Sequence, residues 1–187
     1  MAEVKGITVK YGKSVVLSDF SADFKDGAVT LISGRSGCGK TTLISVILGL
    51  VRPLSGCVSG FGACSALFQE DRLLPFLTAV RNITEATGCS EQAAREALHR
   101  VGFADEDLDK RASTLSGGMA RRTAIVRAML AQGDTVIFDE PFKGLDDITR
   151  ATVLEFVKDT LNGRTMIVVT HDPRDIEELA PDKIISM

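Results

Sequence analysis

The segment "GRSGCGKTT", residues 34–42, constrains the fold of this chain more than any other part of its sequence. It fits the pattern G-x-x-x-x-G-K-[ST] and stands between an apolar run, "AVTLIS", and a helix-like segment, "KTTLISVILGL". A strand, a glycine-rich loop and a helix in this order predict a P-loop, whose backbone N–H groups surround phosphates at a helix N-terminus. A glycine-rich turn without function is the alternative, and the flanking strand and helix argue against it. The residues predicted to contact a nucleotide are Gly34, Arg35, Ser36, Gly37, Cys38, Gly39, Lys40, Thr41 and Thr42.

Side chains suited to phosphate chemistry stand in this loop and after two later apolar runs. Lys40 can reach the β- and γ-phosphates, and the Thr41 hydroxyl can bind Mg²⁺. Asp139 and Glu140 follow the run "TVIF", and His171 follows "MIVVT". At the carboxyl edge of a parallel sheet, Asp139 can hold Mg²⁺ through water, Glu140 can polarise an attacking water, and His171 can meet the γ-phosphate. A "DE" pair after a strand is often only the start of a polar loop, but the P-loop favours the catalytic interpretation.

The rest of the chain alternates apolar runs with helical segments, which predicts an α/β fold with a mostly parallel sheet flanked by helices. "GITVKYG" and "SVVLSDFSADF" alternate apolar and polar residues, as antiparallel strands do. We expect one domain over residues 1–187: a P-loop core, an antiparallel β-subdomain from about 1–27 and 52–68, and a helical subdomain at about 77–114. Thr78 and Ser90 are predicted helix N-caps, and the helix that follows "LSGG" is predicted to end at Gly133.

Composition argues against several classes of function. The 22 basic and 25 acidic residues give a net charge of −3 and show no basic face, so no nucleic-acid partner is expected. The four cysteines form no C-x-x-C pair, which favours free thiols in a reducing compartment. The N-terminus lacks the apolar core of a signal peptide. The longest apolar run, residues 43–51, is shorter than the roughly 18 residues of a membrane span, so attachment to a membrane would require another protein.

A second stretch, "LSGGMARR" at residues 115–122, has the character of an anion site, because a serine and two glycines precede an arginine-rich helix. It contains no lysine, so it cannot be a second complete nucleotide site. A second copy of the chain, rotated head-to-tail, could bring it over the P-loop and share two ATP molecules across a two-fold interface. An ordinary helix N-cap is the alternative explanation.

The order of these motifs resembles the nucleotide-binding subunit of ATP-binding cassette (ABC) transporters over essentially the whole chain. The motifs are "GRSGCGKTT", Gln69 in "ALFQEDRLLPFLT", "LSGGM", "VIFDEP", "GLD" and "VVTHD". The resemblance implies a sandwich dimer that closes on ATP and Mg²⁺ and opens after hydrolysis. Met119 departs from the usual glutamine of the signature, which removes any polar role of that side chain.

The resemblance also implies roles for individual residues. The catalytic set it implies is Lys40, Gln69, Glu140 and His171. The residues around Mg²⁺ would be Thr41, Gln69 and Asp139. Ser116, Gly117 and Gly118 would contact the partner's ATP, and Asp146 matches an aspartate that crosses the dimer seam. Tyr11 matches an aromatic residue that stacks on adenine, with an exposed strand residue as the alternative.

The segments "QEDRLLPFLTAVRNI" and "DEPFKGLDDITR" resemble the importer branch that takes up nitrate, sulfonates or taurine. This implies an ATPase at the cytoplasmic face of the membrane, peripheral, with a second ATPase subunit, transmembrane permease subunits and an extracytoplasmic solute-binding protein as partners. A soluble ABC ATPase acting in translation or DNA repair is the alternative. A small-molecule P-loop kinase is a third hypothesis, and it would lack the "LSGG" stretch.

Overall fold

The computed structural model describes residues 1–187 and divides into two compact units. The first unit comprises Met1–Cys64, Gly133–Asp139 and Gly163–Met187. The second comprises Ser65–Gln132 and Glu140–Asn162. The strands are β1 (Ala2–Tyr11), β2 (Ser14–Phe24), β3 (Val29–Ser33), β4 (Ser55–Ser59), β5 (Cys64–Leu67), β6 (Thr135–Asp139), β7 (Thr165–Val169) and β8 (Lys183–Ser186). The helices are α1 (Lys40–Ile47), α2 (Ala79–Thr87), α3 (Glu91–Arg100), α4 (Asp105–Leu108), α5 (Gly117–Leu130), α6 (Asp147–Leu161) and α7 (Pro173–Leu179).

An antiparallel sheet in the first unit has the order β2-β1-β4. Its central strand β1 buries Val4, Ile7 and Val9, in keeping with the alternating pattern from which antiparallel strands were predicted. A Cβ on Gly56 of β4 would come within 2.3 Å of the Lys5 carbonyl oxygen. The close approach of β4 to β1 therefore requires glycine at residue 56.

The parallel sheet has five strands, four of which belong to the first unit and lie in the order β6-β7-β3-β8. β6 and β7 are buried along their whole lengths, as expected of strands covered on both faces. The remaining strand, β5, is not a strand of the antiparallel sheet, although residues up to 68 were expected in the antiparallel subdomain. A strand of four residues carries too little pattern to indicate its partner.

The carboxyl ends of β6, β7 and β3 come to one edge of the sheet in the first unit. Asp139 of β6 pairs with Val169 of β7, and Val169 pairs with Ile32 of β3. The P-loop follows β3 directly, and His171 follows β7 by two residues. The parallel register therefore brings the loop, Asp139 and the segment of His171 to a common edge, as the sequence predicted.

Side-chain caps begin two helices of the second unit as predicted. The Thr78 hydroxyl accepts a hydrogen bond from the Arg81 N–H, and the Ser90 hydroxyl accepts one from the Ala93 N–H. No helix of the chain has both the length and the apolar character needed to cross a membrane.

The predicted end of α5 at Gly133 is wrong, because the helix ends at Leu130. Ala131 has extended dihedral angles, with φ −62° and ψ 138°. Glycine is required at residue 133 for a different reason, because a Cβ there would lie 2.7 Å from the Ala63 carbonyl oxygen. The glycine therefore reflects a close backbone approach rather than a helix C-cap.

Candidate active site

The P-loop of the first unit has a backbone conformation that requires glycine. Gly37 has a φ of 81° and Gly39 a φ of 108°, values in the left-handed region that favours glycine. A Cβ on Gly39 would stand 2.8 Å from the Leu17 Cδ2 atom and 3.1 Å from the Val16 carbonyl oxygen. Strand β2 thus packs closely against the loop at Gly39, the residue before Lys40 begins helix α1.

The Lys40 ammonium group is held by the loop itself. Its Nζ donates hydrogen bonds to the carbonyl oxygens of Gly34, at 2.9 Å, and Arg35, at 3.0 Å. It also lies 3.8 Å from the Cys38 Sγ atom. The geometry therefore places the cation within the turn that is predicted to surround phosphates, with the thiol beside it.

Thr41 and Asp139 form a direct contact at the predicted metal position. The Thr41 hydroxyl donates to the Asp139 Oδ2 atom over 2.8 Å, and Asp139 is fully buried at the end of β6. A hydroxyl and a carboxylate oxygen are the hard ligands that Mg²⁺ prefers. The residues present therefore fit Mg²⁺, with the P-loop immediately before Thr41.

His171 is exposed, whereas its neighbour Thr170 is buried. The Thr170 N–H donates to the Ile32 carbonyl oxygen over 3.2 Å, which extends the pairing of β7 with β3 toward the P-loop. Asp172 then caps helix α7. The imidazole thus stands at the same sheet edge as the P-loop, and its contact with a γ-phosphate stays a prediction.

Tyr11 ends β1 and is 52% exposed. It pairs across the β1–β2 turn with Ser14, and β2 then continues to the Val16 and Leu17 atoms that contact the P-loop. The ring is accessible to a base, but an exposed strand residue would look the same. Adenine stacking by Tyr11 stays a prediction.

The second unit contains an open cavity of about 460 Å³ lined by further predicted residues. Four predicted site residues line it, namely Gln69, Gly117, Gly118 and Glu140. The remaining lining residues are Glu70, Asp71, Arg121, Lys143 and Gly144. The structure thus brings the signature glycines, the candidate base and Gln69 to one cavity.

The backbone of Glu140 is unusual for a residue with a side chain. Its φ is 53°, in the left-handed region, and only 7% of its surface is exposed. Such a conformation costs free energy in a residue other than glycine and is maintained by its surroundings. Strand β6 ends at Asp139, and the next residue, Glu140, has the left-handed conformation.

Ser116 and Asp146 are both helix N-caps in this structure. The Ser116 Oγ atom accepts from the Met119 N–H over 3.3 Å at the start of α5. At the start of α6, the backbone N–H and then the hydroxyl of Thr149 donate to the Asp146 carboxylate and lower its pKa below the ordinary value. The capping alternative is therefore real for Ser116, yet its hydroxyl keeps a proton to donate.

The signature glycines leave the region in front of α5 open. A Cβ at Gly117 would meet no atom within 4 Å, and one at Gly118 would meet only the Leu145 Cδ2 atom at 3.8 Å. The backbone N–H groups at this helix start are thus approachable, which is the property that the shared-site hypothesis requires. The partner-ATP role of Ser116, Gly117, Gly118 and Asp146 stays a prediction.

Arg121 was assigned no role from the sequence, although its side chain connects two segments that contain predicted site residues. It is buried and donates to four backbone carbonyl groups and to Asp71. The only signal in the sequence was an arginine within a helix segment, just before Thr123, Ala124 and Ile125. The structure shows that these three residues are also buried.

Comparison with known proteins identifies the family of this chain. Residues 17–143 match the sequence profile of a family described as ABC transporter. The aliphatic sulfonates import ATP-binding protein SsuB 1 of Rhodococcus jostii is 38% identical over 91% of this chain and 72% of its own length. The corresponding protein of Corynebacterium glutamicum is 36% identical over 96% of this chain and 77% of its own length.

Solved structures show the same fold. A dimeric structure of the ATP-binding cassette MJ0796, in a post-hydrolysis state bound to ADP and Pi, superposes with a TM-score of 0.88 at 25% identity. The match covers 100% of this chain and 94% of that one. The motif order, the P-loop with its Thr41–Asp139 pair, the family profile and these relatives lead to one conclusion: the chain belongs to the ABC transporter family, as an ATP-binding subunit of the importer branch.

Proposed function

We propose that this chain is the ATP-hydrolysing subunit that powers an importer of small molecules such as aliphatic sulfonates, nitrate or taurine. The contact between Thr41 and Asp139 beneath the P-loop carries the proposal, because it assembles magnesium ligands next to a phosphate-binding loop. The names of the relatives, which are import ATP-binding proteins for aliphatic sulfonates, support the cargo class. They also disfavour a soluble cassette acting in translation or DNA repair.

In the proposed reaction, the P-loop N–H groups and Lys40 bind the phosphates of ATP. Thr41, Asp139 and Gln69 would hold Mg²⁺, which neutralises charge on the β- and γ-phosphates when bound. Glu140 accepts a proton from the attacking water, and His171 contacts the γ-phosphate. The products are ADP and inorganic phosphate.

We further propose that two copies of this chain complete each other's sites. Ser116, Gly117 and Gly118 of one copy would close over the ATP held by the other, and Asp146 would cross the seam. The open backbone at Gly117 supports this arrangement, as does the dimeric state of the structurally similar cassette.

The loop between β5 and α2 supports docking onto permease subunits at the cytoplasmic face of the membrane. Leu74 is 48% exposed and Phe76 is 66% exposed in this loop, a few residues after Gln69. Exposed apolar side chains that are close together favour a protein interface. An extracytoplasmic solute-binding protein would then deliver the cargo to the permease.

Gel filtration of a Glu140→Gln variant with and without ATP tests the proposal. We expect a monomer without ATP, a dimer with ATP, and hydrolysis reduced by about 10²-fold or more, the usual scale of general-base catalysis. Glu85→Gln, which changes an exposed carboxylate on α2, is the matched control and should hydrolyse ATP like the parent. Full turnover by Glu140→Gln, or a monomer under all conditions, would contradict the proposal.

A further inference from the structure

Arg121 lies on α5, five residues after the cap Ser116, and its side chain is only 6% exposed. A buried guanidinium group is costly unless its N–H groups find acceptors. The acceptors here are mainly backbone carbonyl oxygens, in two chain segments that are remote in sequence from Arg121 and from each other. Both segments contain predicted site residues.

One edge of the guanidinium group binds the segment of the candidate base. The Arg121 Nε atom donates to the Pro141 carbonyl oxygen over 2.9 Å, and Nη2 donates to the Glu140 carbonyl oxygen. Glu140 is the residue with the left-handed φ of 53°. These two bonds fix the orientation of the peptide groups on the C-terminal side of that unusual conformation, and with it the direction in which the Glu140 side chain leaves the backbone.

The Nη1 atom binds the segment of Gln69. It donates to the carbonyl oxygens of Phe68, at 2.7 Å, and Gln69, at 3.3 Å, and to the Asp71 Oδ1 atom at 3.0 Å. A single planar group thus connects the signature helix to the backbones of both Gln69 and Glu140. These residues line the same cavity as Arg121.

Arg127 offers an internal comparison on the same helix. Its Nη1 and Nη2 atoms donate to the carbonyl oxygens of Arg72 and Asp71, each at 2.8 Å. Both arginines therefore anchor the loop after Gln69, but Arg127 donates to neither Glu140 nor Pro141. A difference between the two arginines in catalysis would therefore isolate the connection to the base.

We propose that Arg121 is a positioning residue that holds the Gln69 and Glu140 backbones in a fixed relation to the signature helix. The inference rests on the proposed function, since it assumes that Glu140 acts as the base. Arg121 touches neither ATP nor the reacting water in this scheme. Its effect is exerted through the orientation of Gln69 and Glu140.

The experiment compares Arg121→Met with Arg127→Met in the full chain, by measuring the ATP dissociation constant, kcat and Tm. Misplacing a catalytic group by about 1 Å lowers the rate by on the order of 10²-fold. We expect Arg121→Met to lose kcat on that scale while it binds ATP within about three-fold of the parent, because the P-loop is untouched. Arg127→Met should lower Tm but keep kcat within a few-fold.

Two further variants keep the test decisive. Asp71→Asn removes only the carboxylate partner, so kcat should stay near the parent value. If Arg121→Met does not fold, Arg121→Lys decides, because a lysine keeps the charge but cannot bind both segments with a planar fork; kcat should still fall about ten-fold at unchanged ATP affinity.

A parental kcat in folded Arg121→Met or in Arg121→Lys would overturn the inference, and so would an equal loss in Arg127→Met. Glu140→Gln distinguishes this failure from failure of the proposed function. If Glu140→Gln is inactive and Arg121→Met is active, only the positioning role is wrong. If Glu140→Gln retains turnover, the assignment of the base is wrong as well.

Discussion

Substitutions at Ser116 can separate its two candidate roles, because helix capping and contact with a partner's phosphate rank the same replacements differently. As an N-cap, serine is roughly equalled by aspartate, glycine is slightly worse, and alanine is much worse. Facing a phosphate, aspartate is the worst replacement because its charge is repelled. In the series Ser116→Asp, Ser116→Gly and Ser116→Ala, aspartate is therefore the best replacement under the capping role and the worst under the phosphate role.

The expected magnitudes follow from the geometry. The bond from the Met119 N–H to the Ser116 Oγ atom is 3.3 Å, at the long end for a hydrogen bond. We therefore expect Ser116→Ala to lower the free energy of unfolding by about 0.5–1 kcal/mol, within the lower part of the usual range for cap removal. For a chain of this size, that corresponds to a Tm lower by about 1–4 °C. Ser116→Gly should lose only a few tenths of a kcal/mol.

The effect on association should be larger for aspartate. A carboxylate about 4 Å from a phosphate charge is disfavoured by about 1–4 kcal/mol, depending on solvent exposure. That energy weakens ATP-dependent dimerisation by about 5-fold to 10³-fold. Ser116→Gly and Ser116→Ala should weaken it less, because the backbone N–H groups of Gly117 and Gly118 remain.

Thermal unfolding without nucleotide measures the effect of each variant on stability. Gel filtration with ATP, in the Glu140→Gln background, measures its effect on dimerisation. We expect Tm to rank serine and aspartate first and alanine last, and dimerisation to rank serine first and aspartate last. If Ser116→Asp dimerises on ATP as well as the parent does, residue 116 is only a cap and the shared site is wrong.

Three other predictions concern the first unit. Lys40→Ala should abolish detectable ATP binding, because it removes the cation from the phosphate loop; titration with a fluorescent ATP analogue measures this, and retained affinity would refute the role of Lys40. Alkylation of Cys38, whose Sγ lies 3.8 Å from the Lys40 Nζ atom, should inhibit hydrolysis, and ATP should protect; mass spectrometry of the modified peptide with rate measurements checks this, and full activity after modification of Cys38 would contradict the placement. Tyr11→Ala should weaken ATP binding by about 1–3 kcal/mol if the ring stacks on adenine, taking the scale from base stacking on aromatic side chains; equal affinities of Tyr11→Ala and Tyr11→Phe would argue for the exposed-strand alternative.

The fold of the first unit was largely predictable, because its signals are local. A short continuous apolar run followed by polar residues predicts a buried strand, and β6 and β7 agree with that prediction. The P-loop pattern fixed where a strand ends and a helix begins. The carboxylate of Asp139 could be placed at the sheet edge only because parallel strands share one direction.

The errors had causes that lie outside the local sequence. Gly133 has the appearance of a helix C-cap, but its lack of a side chain is required by the Ala63 backbone, 70 residues earlier in the numbering of the chain. The acceptors of Arg121 other than Asp71 are backbone carbonyl groups, which every residue possesses, so no residue type in the sequence marks them. For Ser116, a single chain cannot decide between a cap and a shared site, since both need the same hydroxyl.

The engagement of Lys40 with the Gly34 and Arg35 carbonyl oxygens has a consequence for how tightly a nucleotide can be held. An ammonium group has three protons, and these two bonds use two of them, so the third is available to a phosphate oxygen. A lysine that the loop has already oriented loses less conformational freedom when a phosphate binds than an unconstrained one would. The loop therefore favours tight binding of the triphosphate, and Lys40→Ala removes both the charge and the orientation.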